Sequence, residues 1–251
     1  MAKKNIIRVF EGFAGYGGAS FGLKRLKESM PNIDYKIVGY SEFDKFASSL
    51  FDANIKDKNG KCIKNWGDIT KIDPEKLPDF DLFTGGFPCQ PFSSAGMQLG
   101  IEDPYGRGAM LGHIIRICRV KKPKYILLEN VKGFGHGKFQ PIHDQLVKDL
   151  REMGYGENPL AKAVLNSKDY GIPQNRERLW MFAQLGGLPE NFSMTPEKIE
   201  SEARIGEFLD FTPDISLYLS DDQISHLKIK HNIDSFVVDV PLCFDVYNKK
   251  I

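Results

Sequence analysis

Short apolar runs alternate along this chain with amphipathic stretches, and most of the runs end on glycine or an acidic residue. Ile6-Ile7-Arg8-Val9-Phe10 reads as a strand that runs into a glycine-rich turn, Gly12 to Gly18, with a helix from about Ala19. Lys36-Ile37-Val38-Gly39-Tyr40 predicts a second strand, followed by a helix from Glu42 capped by Ser41. Asp81-Leu82-Phe83-Thr84 predicts a short buried strand ending in Gly85-Gly86, and Tyr125-Ile126-Leu127-Leu128 another ending in Glu129-Asn130. Apolar residues at helical spacing mark Met110 to Val120 and Phe139 to Met153, the second stopped by Gly154. Leu160 to Leu165 and Leu179 to Phe182 complete the strands. Strands alternating with helices imply βαβ units, hence an α/β fold with a mostly parallel sheet covered by helices on both faces. Ligands of such sheets bind at the carboxyl ends of the strands. Here those ends carry Phe13 to Gly18, Glu42, Gly86 to Gln90, and Glu129-Asn130.

The texture changes after Gly187, which predicts one domain over residues 1–187 and a linker with the start of a second region over 188–251. Leu188 to Glu202 reads as loop, and Ser220-Asp221-Asp222-Gln223 has the spacing of a capping box opening a short helix to about Lys230. With 251 residues, 41% of them hydrophobic, the chain can bury one sizeable core. No apolar run reaches the length of a membrane span, and the N-terminus lacks a signal peptide's apolar region. Cys62, Cys89, Cys118 and Cys243 form no CxxC pair and no metal-ligand spacing, so the expectation is a reduced, cytoplasmic protein without a metal. A net charge of +1 carries no signature of nucleic-acid binding. The basic cluster Arg116, Arg119, Lys121, Lys122 and Lys124 reads as a solvated helix end.

Four constellations could carry chemistry. Phe13-Ala14-Gly15-Tyr16-Gly17-Gly18 joins a strand to a helix, where glycine permits a tight turn and close approach of a ligand. It lacks the dinucleotide spacing GxGxxG, and a tight turn without ligand remains the alternative. Glu42 at the second strand's end suits a ribose-hydroxyl acceptor. Cys89 sits in Gly85-Gly86-Phe87-Pro88-Cys89-Gln90-Pro91, a stiffened loop past a strand end, although a free cysteine is more often a small buried hydrophobe. Glu129-Asn130-Val131 puts a carboxylate at a strand end, for catalysis or as a surface cap. Arg176 and Arg178, two apart at the start of a strand, face one side, either into a site or along an exposed edge.

In this order the four resemble the motifs of the C5-cytosine DNA methyltransferases, over roughly residues 6 to 185. Gly67-Asp68-Ile69-Thr70 and Leu165-Asn166 with Asp169-Tyr170-Gly171-Ile172-Pro173 add two further matches. The resemblance implies a class I S-adenosylmethionine-dependent, Rossmann-like fold and methyl transfer to C5 of a cytosine flipped out of double-stranded DNA. It implies Cys89 as nucleophile, Glu129 on N3, Arg178 on O2 with Arg176 in support, and Gln90 and Asn130 near the base. For S-adenosylmethionine, leaving as S-adenosylhomocysteine, it implies Phe13, Gly15, Tyr16, Gly18, Glu42 on the ribose, Phe43 on adenine, Asp68 on its amino group, Ile69, Gly86 and Pro88. An RNA cytosine-5 methyltransferase with the same motifs is the alternative. Two departures stand out: Asp103-Pro104-Tyr105-Gly106-Arg107-Gly108-Ala109 lacks the family's threonine, and its late Gly-Asn-Ser-Val motif is absent. The expectation is either a subunit of a split enzyme, paired with a second chain that carries the recognition region, or a truncated chain. A shortened inactive relative with a DNA- or partner-binding role is the alternative.

Overall fold

In a computed structural model, residues 6–88, 110–134, 136–199, 204–208 and 220–231 are described. Contacts divide the chain into two units, Met1–Glu202 and Ala203–Ile251.

The first unit holds six strands: β1 (Ile6–Gly12), β2 (Asp34–Ser41), β3 (Leu82–Gly86), β4 (Tyr125–Val131), β5 (Ala161–Asn166) and β6 (Glu177–Gln184). Four helices accompany them: α1 (Gly18–Ser29), α2 (Lys45–Asn54), α3 (Met110–Lys121) and α4 (Gln140–Glu152). The strand order is β2-β1-β3-β4-β6-β5. β1, β2, β3 and β4 pair in parallel, whereas β6 runs antiparallel to both β4 and β5. The sheet is therefore mostly parallel, as expected, with one reversed strand.

The main core is built from Phe10, Phe80 and Phe83, stacked or tilted at 5.3–6.2 Å, together with the inner faces of α3 and α4. Leu111, Ile114, Ile115, Ile117 and Cys118 of α3 are buried there, as helical periodicity requires. A second cluster seats Tyr40 against Phe51 at 3.8 Å. Among the described residues no helix is long and apolar enough to cross a membrane.

Two boundaries differ from expectation. α2 begins at Lys45, capped by Asp44, whose carboxylate accepts from the amides of Phe46 and Ala47 at 2.9 and 2.8 Å. Ser41 does not cap it: that residue closes β2, and its hydroxyl donates to the carbonyl of Gly67 at 2.7 Å. β4 runs through Glu129 and Asn130 to Val131, so those residues lie within the ladder rather than past it. The basic cluster is only partly the solvated helix end expected, since Arg116 donates to the Ile69 and Ile72 carbonyls and the Lys121 side chain is mostly buried. Arg119 pairs with Asp149 at 2.9 Å and Lys121 with Asp79 at 3.5 Å, just before β4 begins.

In the second unit, α5 (Asp221–His231) opens with the predicted reciprocal cap. The Ser220 amide donates to Gln223 Oε1 at 2.8 Å, and the Gln223 amide to Ser220 Oγ at 3.3 Å.

Candidate active site

The parallel strands end side by side: Gly12 is in register with Ser41 and with Gly85, and Gly86 with Glu129. From this edge the glycine loop turns into α1. Phe13, Gly15 and Gly17 all take left-handed backbone, with φ of 52°, 54° and 95°. At Gly17, the cap of α1, an added Cβ would lie 3.0 Å from Ile55, so the turn suits glycine alone. Phe13 pays for the same conformation with a side chain, a strain typical of ligand sites.

Gly17 brings no side chain to cap α1. That task falls to Glu11, which the sequence reading missed. Its carboxylate, 3% exposed, accepts from the Ala19 amide at 3.1 Å and the Ser20 hydroxyl at 2.6 Å. Burial pushes its pKa up, partly offset by those bonds. An acid eight residues ahead of an uncapped helix was the available signal.

Glu42 is locked in place. Its Oε2 accepts from the Gly15 amide at 2.8 Å and its Oε1 from the Asp44 amide at 2.9 Å. Asn65, also missed, grips the Glu42 backbone at both ends: its Nδ2 donates to the Glu42 carbonyl at 2.9 Å, and its Oδ1 accepts from the Glu42 amide at 3.2 Å. Asp68 caps a single 3-10 turn, Ile69–Lys71, through the amide and hydroxyl of Thr70. Those two bonds, the hydroxyl's first, hold its pKa below the usual carboxylate range.

These residues surround a cleft of about 480 Å³ at the strand ends, within the size range of small-molecule sites. Phe13, Glu42, Phe43, Asp68, Ile69, Gly86 and Pro88 line it, as expected, together with Ser41, Gly67, Thr70 and Met110. Gly15 meets it through the amide on Glu42. Tyr16 and Gly18, expected at the cofactor, are not among its walls: Tyr16 is 59% exposed beside Phe21, and Gly18 starts α1. Phe43 at the rim is 82% exposed, an aromatic face available for stacking. An open cleft with two fixed carboxylates and a free ring fits an adenosyl group.

Beyond Gly86 the strand edge changes character. Glu129 Oε1 meets Arg178 Nε at 2.9 Å, the side chains only 20% and 25% exposed. An ideal Cβ on Gly86 would stand 3.1 Å from Glu129 Oε2, so β3 passes directly against this carboxylate. Arg176 precedes β6, exposed, with its amide on Asn166 Oδ1 at 3.0 Å. Asn130 departs from the expected contact with substrate. It is 1% exposed, and its Nδ2 donates to the Phe87 carbonyl at 3.1 Å. It therefore grips the backbone two residues before Cys89. Cys89 and Gln90 themselves lie outside the described residues. Of the other cysteines, Cys118 is fully buried, and burial pushes its thiol far from ionisation. Cys62 is exposed, its Sγ 3.0 Å from Lys56 Nζ. Among the described residues no cluster could hold a metal ion.

Curated relatives resemble this sequence over most of its length. The type II methyltransferase M1.ScrFI of Lactococcus lactis subsp. cremoris is 36% identical over 211 residues, 83% of this chain and 50% of its own length. M.NlaX of Neisseria lactamica is 35% identical over 218 residues, covering 86% of this chain and 64% of its own. The chain thus spans between half and two thirds of these relatives. The crystal structure of Schizosaccharomyces pombe (S. pombe) Dnmt2 methyltransferase superposes with a TM-score of 0.62 at 24% identity, covering 88% of this chain and 65% of its own, a likeness of fold. The family model described as C-5 cytosine-specific DNA methylase matches residues 7–239, nearly the whole chain. By that match and these relatives, the chain belongs to the C-5 cytosine-specific DNA methylase family.

Proposed function

We propose that the chain transfers a methyl group from S-adenosylmethionine to C5 of a cytosine flipped out of double-stranded DNA. The observation that carries the reading is the Glu129–Arg178 pair on neighbouring strands, set against Gly86 three residues before Cys89. A base lying there would meet an acid and a guanidinium beside a thiol.

When bound, S-adenosylmethionine supplies an electrophilic methyl group. Glu42 takes its ribose hydroxyls, Phe43 stacks on its adenine, and Asp68 accepts from the adenine amino group. The Cys89 thiolate attacks C6, forming an S–C6 bond and making C5 nucleophilic. Glu129 holds or protonates N3, which lowers the cost of that attack. Arg178 binds O2, with Arg176 in support and Gln90 beside the base. C5 then bonds to the methyl carbon as that carbon's bond to the sulfonium sulfur breaks and S-adenosylhomocysteine leaves; water takes the C5 proton, the C5–C6 double bond re-forms, and the S–C6 bond breaks to return the thiolate. A stacked base cannot present C6 to a thiol, so flipping is required. Asn130 acts one step back, by holding the backbone that leads to Cys89. A free-thiol nucleophile needs a reducing compartment, and the cytoplasm is the location we propose. A second chain carrying a recognition region is the partner we propose.

The test is tritiated-methyl transfer to mixed-sequence DNA and to RNA, with and without the product of the reading frame downstream. We expect labelled DNA, abolished by Cys89→Ser, and a covalent adduct at Cys89 on duplexes carrying 5-fluorocytosine. Labelled RNA with unlabelled DNA would overturn the substrate, and an adduct at Cys62, Cys118 or Cys243 the nucleophile.

A further inference from the structure

Arg116 lies outside the cleft yet is bonded to the segment that forms one of its walls. Its Nη1 donates to the carbonyl of Ile72 at 2.6 Å and its Nη2 to the carbonyl of Ile69 at 3.1 Å. Those carbonyls bracket the 3-10 turn Ile69–Lys71, which Asp68 caps at the other end. A turn of three residues satisfies few of its own backbone groups, so both ends depend on partners from elsewhere. Asp68 serves the amino end and Arg116 the carboxyl end. The side chains of Ile69 and Ile72, each 4% exposed, anchor the turn in the core and leave Asp68 and Thr70 on the cleft.

A guanidinium makes its strongest bonds to carboxylates. Arg119, three residues along the same helix, does so with Asp149 and Glu152. Arg116 instead fixes backbone. Its own helix, α3, also lends its first residue, Met110, to the cleft wall. One helix thus sets two sides of the cavity, once by a side chain in the wall and once by a charged clamp behind it.

We infer that Arg116 is a positioning residue for the adenine end of the cofactor: it holds the turn that aims Asp68 into the cleft. The inference rests on reading the cleft as the S-adenosylmethionine site. It separates from a purely structural role because its effect must pass through Asp68.

The experiment is a double-mutant cycle read by calorimetry, titrating the full chain with S-adenosylhomocysteine. Arg116→Met should weaken binding about tenfold, the loss of one charged backbone clamp. Asp68→Ala should weaken it too, and the double variant should bind no more weakly than Asp68→Ala alone. Arg116→Lys, able to reach one carbonyl only, should fall between wild type and Arg116→Met. If Arg116→Met does not melt cooperatively, Arg116→Lys in the same cycle carries the test. Wild-type affinity in both Arg116 variants, or losses that multiply in the double variant, would overturn the inference. Failure of the wild-type chain to bind would instead overturn the cofactor reading beneath it.

Discussion

Replacing Asn130 by leucine tests whether the grip on Phe87 matters for chemistry or only for packing. Leucine keeps the branching of the side chain at a larger volume, but it cannot donate to the Phe87 carbonyl, which Asn130 meets at 3.1 Å in a buried setting, nor accept from the Val131 amide. A buried carbonyl that loses its partner costs about 1–3 kcal/mol. The Phe87 ring stays packed edge-on against Phe134 at 5.3 Å, so the strand end persists while its carbonyl is free to shift. If the whole cost falls on the transition state, the rate drops by roughly 5- to 150-fold. A nucleophile displaced by about 1 Å loses about 100-fold, within that range. We therefore expect single-turnover methyl transfer to fall about 30- to 100-fold. Cofactor affinity should fall less than the transfer rate, because of the cleft's walls only Gly86 and Pro88 adjoin the Phe87 backbone that this bond holds. The assays are rapid-quench transfer with tritiated cofactor, calorimetry for binding, and a thermal melt. A lowered Tm with an unchanged transfer rate would refute the reasoning, since Asn130 would then only fill space. An equal loss of rate and cofactor affinity would refute it too, by showing that the damage spreads beyond the Cys89 loop.

Gly86→Ala would place a methyl 3.1 Å from Glu129 Oε2, and Glu129 is tied to Arg178, so the carboxylate must yield. We expect transfer to fall about tenfold with the fold retained, the scale of mild overpacking; unchanged kcat/KM with normal circular dichroism would count against the base-side role of this carboxylate. Glu42→Gln leaves one amide nitrogen facing the Gly15 or Asp44 amide, both of which now donate to carboxylate oxygens. Cofactor binding should weaken about tenfold, the cost of one lost charged bond, as calorimetry would show. Glu11 has its folded pKa raised by burial, so folding favours its protonated form. Its contribution to stability is complete below the ordinary carboxylate value of about 4.3 and is lost as pH rises through the raised one. Glu11→Gln should therefore gain on wild type in denaturant melts as pH climbs from 4 to 8, and a constant difference between the two would contradict this.

Much of this arrangement was legible because the informative residues sit where strands end. Gly86 and Glu42 follow short apolar runs that end in strands, whereas Asp68 could be placed only through the resemblance of Gly67 to Thr70 to a family motif; all three line the cleft. The errors share one physical origin: local spacing does not say which partner a polar group will meet. Ser41 and Asp44 are both good helix caps, and the choice fell to Asp44 because the Ser41 hydroxyl bonds Gly67, 26 residues away. Glu11 looked like an ordinary strand residue until α1 folded onto it with its amide donors unfilled. Asn130 looked like part of a substrate motif, and nothing in its neighbours in sequence reveals that its amide turns inward to Phe87, 43 residues back. The glycine-loop motif likewise places Tyr16 at the cofactor with its whole loop, whereas between the left-handed turns at Gly15 and Gly17 it is 59% exposed and not among the cleft's walls.

The reversal of β6 is what allows an arginine to join the acid. In β6 the arginine comes first, at Arg178, whereas in β4 the acid comes near the end, at Glu129. Had β6 run parallel to β4 with its first residue beside Tyr125, Arg178 would lie beside Ile126, three residues of strand from Glu129. At about 3.3 Å per residue that is roughly 10 Å along the strand, against about 7 Å for the two-residue offset of the antiparallel register. Because the strands are antiparallel, Val131 pairs with Arg178 and Glu129 with Trp180, so the start of one strand meets the end of the other. The hairpin that turns the chain round is closed by Asn166, whose Oδ1 accepts from the amides of Lys168 and Arg176 at 3.3 and 3.0 Å. It returns the chain to the edge from which the parallel strands present their functional residues. The antiparallel strand is thus the means by which an acid and an arginine more than forty residues apart in sequence come within 2.9 Å of each other at one edge of the sheet.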